Sequence, residues 1–89
     1  MIYCVILIPG IGARREVVAS KFEKANGGWI KLRDNTWLIS TNRKASAWRD
    51  EVRPYIGIGG TLMIIRAQRE WAGLKGPIAD WLHRHSDDF

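Results

Sequence analysis

Gly28-Trp29-Ile30-Lys31-Leu32-Arg33-Asp34-Asn35-Thr36-Trp37-Leu38-Ile39-Ser40-Thr41 is the stretch whose reading decides the fold. Two short runs rich in β-branched and aromatic residues flank Asp34-Asn35. Asx residues accept left-handed backbone and hydrogen-bond their own turn, so the stretch predicts a β-hairpin. Trp29, Lys31 and Arg33 share one face of the first strand, and Ile30 and Leu32 share the other. The second strand, Thr36 to Thr41, is less polar, as a strand with neighbours on both sides should be. A helical pattern lies on each side of the hairpin, with a further strand beyond each helix. The chain therefore reads β-α-β-β-α-β, an α+β fold with an antiparallel sheet.

Ile2 to Ile8 is apolar without alternation, which predicts a strand buried on both faces. Pro9 ends it, and Pro9-Gly10-Ile11-Gly12 forms a turn. The first helix is expected over Ala13 to Ala25, with Val18, Phe22 and Ala25 at helical spacing. Asn26-Gly27-Gly28 stops it. The second helix is expected over Lys44 to Tyr55, with Trp48, Val52 and Tyr55 on one stripe. Thr41 or Asn42 is placed to cap it, and Pro54 ends or kinks its last turn. Gly57-Ile58-Gly59-Gly60 returns the chain to a fourth strand, Thr61 to Arg66, also apolar on both faces.

Eighty-nine residues make one domain, near the size where a single core is only modestly stable. No apolar run reaches membrane-spanning length, and no basic flank of a signal peptide precedes the first strand. Cys4, alone, has no internal disulfide partner, so a cytoplasmic protein is the plain expectation. Fourteen Lys and Arg against nine Asp and Glu give +5 and a pI near 9.9. The charge is uneven. Residues 68–89 hold three Lys or Arg against four Asp or Glu, a net −1, so residues 1–67, with eleven against five, carry +6. A basic body attracts phosphate without any sequence readout, and it equally describes a solvated basic surface.

Right-handed crossovers put both helices on one face of the sheet and leave the other bare. An apolar bare face marks an interface. Two coverings are open: the tail beyond the 1–67 core, residues 68–89 with a short helix, or a second copy. The tail supplies Trp71, Leu74, Ile78, Trp81 and Leu82. A symmetric homodimer with tails exchanged or crossed is the preferred expectation, and Trp71, Leu74, Trp81 and Leu82 are its candidate interface.

Thr36-Trp37-Leu38-Ile39-Ser40-Thr41, Arg49-Asp50-Glu51-Val52-Arg53-Pro54-Tyr55, Glu70-Trp71-Ala72-Gly73-Leu74 and Asp80-Trp81-Leu82 resemble a set of small bacterial and phage proteins often labelled SinR-like. These resemble the small CRISPR-associated adaptation endonuclease and VapD-type ribonuclease toxins. The resemblance implies a ferredoxin-like fold, a homodimer formed through the sheet faces and an ancestral link to nucleic acid. Its nuclease members carry a metal-binding Asp at the end of the first strand. Here that stretch is Val5-Ile6-Leu7-Ile8-Pro9-Gly10, and the first acidic residue of the chain is Glu16. Divalent-metal cleavage needs hard oxygen ligands, so no catalytic residue is carried over.

Gly10-Ile11-Gly12 offers amides to a phosphate, with Arg14 and Arg15 beside it, but lacks the Gly-Lys-Ser/Thr ending of a phosphate loop, and a tight turn is the plainer reading. His83-Arg84-His85 resembles a metal clip, yet i and i+2 on a helix point to different faces. Cys4 on a buried strand reads as an inert thiol. Trp29 with Lys31 and Arg33 forms either a stacking platform for single-stranded nucleic acid or an edge protected against aggregation. The candidate nucleic-acid contacts are Arg14, Arg15, Trp29, Lys31, Arg33, Arg43 and Lys44. No cofactor, metal or membrane partner is expected. The leading expectation is a catalytically inactive, nucleic-acid-associated homodimer binding DNA or RNA through phosphate. The alternatives are a protein-interaction or inhibitor module of the same fold and, after it, a metal-dependent nuclease or ribonuclease toxin.

Overall fold

The computed structural model describes all 89 residues, Met1–Phe89. Strands β1 (Ile2–Ile8), β2 (Trp29–Arg33), β3 (Thr36–Ser40) and β4 (Thr61–Arg66) form one antiparallel sheet in the order β2-β3-β1-β4. Helices α1 (Arg15–Phe22) and α2 (Ala45–Val52) connect β1 to β2 and β3 to β4, and α3 (Pro77–Arg84) lies in the tail. The result is a small α+β fold. No helix is long and apolar enough to cross a membrane.

The hairpin forms as its turn chemistry dictates. Asn35 is the only non-glycine residue with positive φ, at 64°, a conformation that Asn tolerates better than most. A register shift between Lys31 and Arg33 bulges β2. Trp29 and Lys31 pair with Ile39 and Trp37, whereas Arg33 pairs past the bulge with Thr36.

Both helices are shorter than the sequence spacing predicts. Ala13 and Arg14 are held in a turn, their amides donating to Gly10 O and Tyr55 O. Lys24 and Ala25 close α1 with three-residue turns onto Lys21 O and Phe22 O. At α2, neither Thr41 nor Asn42 caps the helix; the N-cap is Lys44, without a side-chain bond. Thr41 is buried instead, its hydroxyl accepting from the Arg43 amide (3.1 Å) and from Trp48 Nε1 (3.3 Å). Pro54 ends α2 in a 3₁₀ turn, Arg53–Tyr55.

The main core lies between the sheet and α1 and α2. Tyr3, Val5, Leu7, Trp37 and Ile39 meet Val18, Phe22, Trp48 and Val52. The Phe22 ring sits between Trp37 and Trp48, with centroids 5.5 and 5.3 Å away. Each large side chain buried this way stabilises the fold by roughly 1.5–3 kcal/mol.

The opposite face holds a second cluster, Ile2, Leu38 and Trp81, with Cys4, Ile30, Leu32, Leu82 and Phe89 packed beside it. The tail of the same chain therefore covers this half of the face. Ala67 extends the pairing by donating to Ile2 O at 2.8 Å. Ser40 Oγ donates to Asp88 at 2.8 Å and pins the far end. The expectation that β1 is buried on both faces is not met within the single chain, and the outer face of β4 is open as well. Ile6, Ile8, Met63 and Ile65 are 36, 59, 50 and 49% exposed. α3 packs through Trp81 over Ile2 and Leu38, beside Ile30 and Leu32, and leaves Ile6, Ile8, Met63 and Ile65 open.

Candidate nucleic-acid interface

The outward surface of the helix layer is basic. Residues 13–24 and 43–55 carry eight Lys and Arg against four Asp and Glu. Three of the four carboxylates are already engaged. Glu51 pairs with Arg43 at 2.7 Å and Lys21 at 3.8 Å, Asp50 pairs with Arg49 at 3.0 Å, and Glu23 accepts from Trp37 Nε1 at 2.9 Å. Arg14, Arg15, Lys24 and Lys44 are exposed and have no ion-pair partner within 4.0 Å.

Two clefts organise these charges. The first, about 300 Å³, lies between α1 and α2 and is lined by Ser20, Lys21, Lys24, Arg43, Trp48 and Glu51 among others. Arg43 is held in it by three contacts, one of them a 3.4 Å bond from Nη2 to Ala47 O. Its guanidinium lies over the Trp48 ring, 4.5 Å from the centroid, and its Nη1 donates to Glu51. Hydrogen bonding to Arg43 is the main reason the Glu51 carboxyl sits below its ordinary range; burial opposes this, and the charges of Arg43 and Lys21 reinforce it. Arg14 and Lys21 flank the Tyr55 ring, each 5.8 Å from its centroid. The second cleft, about 220 Å³, brings Arg15 of α1 to Lys31 of β2, with Glu16 and Asp34 on its wall. Lys31 is tied to Asp34 at 3.4 Å.

The structure thus divides the sequence-based candidates. Arg14, Arg15, Arg43 and Lys44 belong to the helix layer, and Lys31 reaches it through the second cleft. Trp29 is 41% exposed on the β2 edge, and Arg33 lies beyond the bulge. Lys21 and Lys24 were missed by the sequence reading. Their signal was present: with Arg14 they fall at i, i+7 and i+10, one stripe of a helix.

The remaining motifs are structural. The Gly10 and Ile11 amides donate to Ile56 O and Ile58 O at 2.8 and 2.9 Å, and Ile11 and Ile58 form a β-bridge. Those amides are spent joining two loops and are not offered to a phosphate. His85 stacks on Trp81, centroids 4.0 Å apart, with Nδ1 2.8 Å from Trp81 O and Nε2 3.1 Å from Gly27 O. His83 lies against Trp71 at 5.0 Å. The two histidines therefore diverge, and no group of three or more His, Cys, Asp or Glu side chains converges on a metal-sized site. Burial pushes the Cys4 thiol up, away from the reactive thiolate. Of the residues expected between copies, Trp81 is buried within its own chain against Ile2 and Leu38. Trp71, Leu74 and Leu82 line an open apolar cleft of about 430 Å³ beside α3, with Leu74 93% exposed.

No family model, no curated protein and no solved structure matches this chain.

Proposed function

We propose that this protein is a non-catalytic homodimer that associates with nucleic acid through phosphate contacts, on a ferredoxin-like framework. The observation that carries the reading is the helix layer, where eight cations meet four carboxylates and three of those carboxylates are engaged within the protein. Such a surface attracts polyanions, and Arg43 stacked over Trp48 lines one of its clefts. The strand order β2-β3-β1-β4 with α1 and α2 as crossovers supports the ferredoxin-like assignment. The half-bare sheet face supports self-association.

The contacts should be to phosphate, because no helix projects a row of base-reading side chains. Fluorescence anisotropy with labelled 20-mer single strands and duplexes, at 25 to 200 mM salt, tests this. Log K should fall linearly with log salt, by about 0.9 per phosphate neutralised on duplex DNA. Replacing Arg14, Arg15 and Lys24 by Ala should lower both affinity and slope by similar amounts on unrelated sequences. Absence of binding at 25 mM salt, or binding indifferent to salt, overturns the reading and returns the protein-interaction class.

A further inference from the structure

The two edges of the sheet are built differently. The β2 edge carries Trp29, Lys31 and Arg33 and a bulge, the devices that keep edges from pairing. The β4 edge, Thr61-Leu62-Met63-Ile64-Ile65-Arg66, is regular and has none of them before Arg66. Its main-chain groups are also free. Ala67 donates to Ile2 O, and on the other side of β1 Leu7 donates to Asn35 O and Thr41 to Met1 O. Antiparallel pairs alternate, so the even-numbered residues of β1 bond to β4. The register Cys4↔Ile65 and Ile6↔Met63 then turns the N–H and C=O groups of Leu62, Ile64 and Arg66 outward. No hydrogen bond from outside the sheet reaches them.

Beside this edge, two clefts of about 230 and 440 Å³ run between β4 and α2 and share Arg49 and Leu62. Ala45, Ser46 and Arg49 line one, Arg49 and Arg53 the other, over the half-buried Leu62 and Ile64. We infer that this open edge and its groove dock an extended acidic segment of another protein, which adds to the sheet as a fifth strand. Arg49 and Arg53 stand one helical turn apart, about 5–6 Å between Cβ atoms. Alternate residues of a strand repeat at about 6.6 Å. Arg49 holds Asp50 through Nε at 3.0 Å in an exposed pair, which leaves its two Nη groups free, and Arg53 has no ion-pair partner. Carboxylates at positions i and i+2 of the docked strand therefore match the two guanidinium groups, while its main chain bonds to Leu62, Ile64 and Arg66. A second copy of β4 fits less well. Antiparallel pairing about a two-fold axis brings its own Arg49 and Arg53 to the same cleft, against only Asp50 in each copy.

The probe is a capped heptapeptide alternating Val and Glu, added to ¹⁵N-labelled protein. Its controls are the same peptide with Lys for Glu and one N-methylated on alternate amides. The Glu peptide should shift the Leu62, Ile64 and Arg66 amides and slow their exchange with solvent. The Lys peptide should not, and N-methylation should abolish binding without touching the protein. Arg49→Ala with Arg53→Ala should weaken binding about tenfold or more, the range for charge-assisted bonds. The proposal is overturned if millimolar Glu peptide leaves those amides unmoved, or if, in the sheet-face variant Ile6→Ser with Met63→Ser, they are still protected at rising protein concentration without peptide, which assigns the edge to a second copy. It is equally overturned if a short oligonucleotide produces the same protection. Loss of oligonucleotide binding in the helix-layer variants leaves these readouts unchanged, so the two proposals fail separately.

Discussion

Glu51 shows how single residues hold the helix layer together. Its carboxylate faces Arg43 at 2.7 Å and Lys21 at 3.8 Å, and it joins α2 to α1 across a cleft that would otherwise hold only cations. Its pKa is depressed from 4.5, first by the Arg43 hydrogen bond. A depressed carboxyl contributes stability that is full above its unfolded value and is lost as pH falls through the folded one. Glu51→Gln should therefore remove part of the acid sensitivity of the protein below about pH 4.5 and change little at pH 7 beyond the lost pair. The pair is partly solvated, so its worth is about 0.2–1 kcal/mol. Urea melts at pH 3 and pH 7 check this, and an unchanged pH dependence in the variant refutes it. Gly10 makes the opposite kind of contribution. A Cβ there would run into the main chain of Ile58 and Gly60. Gly10→Ala should cost about 1–3 kcal/mol, the range for overpacking, read as a lower denaturation midpoint. The tight turn at Gly10 is legible in the sequence, but the fate of its amides is not, because the partner segment at Ile56 to Ile58 lies 46 residues or more away. Turn propensity is local; the bridge that consumes the amides is not.

The same distinction separates the elements. The hairpin and the bounds of β1 and β4 were legible because Asp34-Asn35, Pro9 and Gly57 to Gly60 punctuate them chemically. The helix lengths were less so, since tertiary bonds from Arg14 to Tyr55 and three-residue turns at Lys24 and Ala25 override helical spacing at both ends of α1. The placement of α3 was legible only as material. Trp81 and Leu82 read as anchors, but whether they anchor to this chain or another depends on the path of residues 67–76, which no periodicity encodes. In the structure Trp81 closes over Ile2 and Leu38, and His85 and Asp88 tie the end of α3 to Gly27 and Ser40. Trp81→Ala should cost about 3–5 kcal/mol, as buried aromatic truncations do, and should act on one element first. The α3 amides should exchange in line with local undocking, while β1 and β3 amides keep exchange set by global unfolding. Uniform acceleration across all elements would mean that α3 is inseparable from the core.

At the scale of the whole molecule, charge and apolar surface are segregated to opposite sides. The helix layer faces outward with eight cations, while Ile6, Ile8, Met63 and Ile65 face the other way. Four side chains fall short of the roughly 800 Å² per partner that a stable interface needs. The tail packs on this side too, through Trp81 and Leu82, and carries Leu74 and Ile78 exposed. The sequence announced both properties, +6 on residues 1–67 and two wholly apolar strands, but not their separation, which arises only when the sheet sets alternate residues on opposite faces. That separation constrains how a dimer meets nucleic acid. Two copies joined at their bare sheet faces turn their helix layers away from each other, so a straight duplex touches one layer at a time. Sedimentation should give a particle of twice the 10.2 kDa chain mass. Ile6→Ser with Met63→Ser, a change that adds no charge, should give the single chain. Each dimer should then take two duplexes, and the salt slope per duplex should be the same for the dimer and for the monomeric variant, because the phosphates neutralised per layer are unchanged. A slope that halves when the dimer dissociates would mean that both layers grip one duplex, and the sheet-to-sheet arrangement would have to be abandoned.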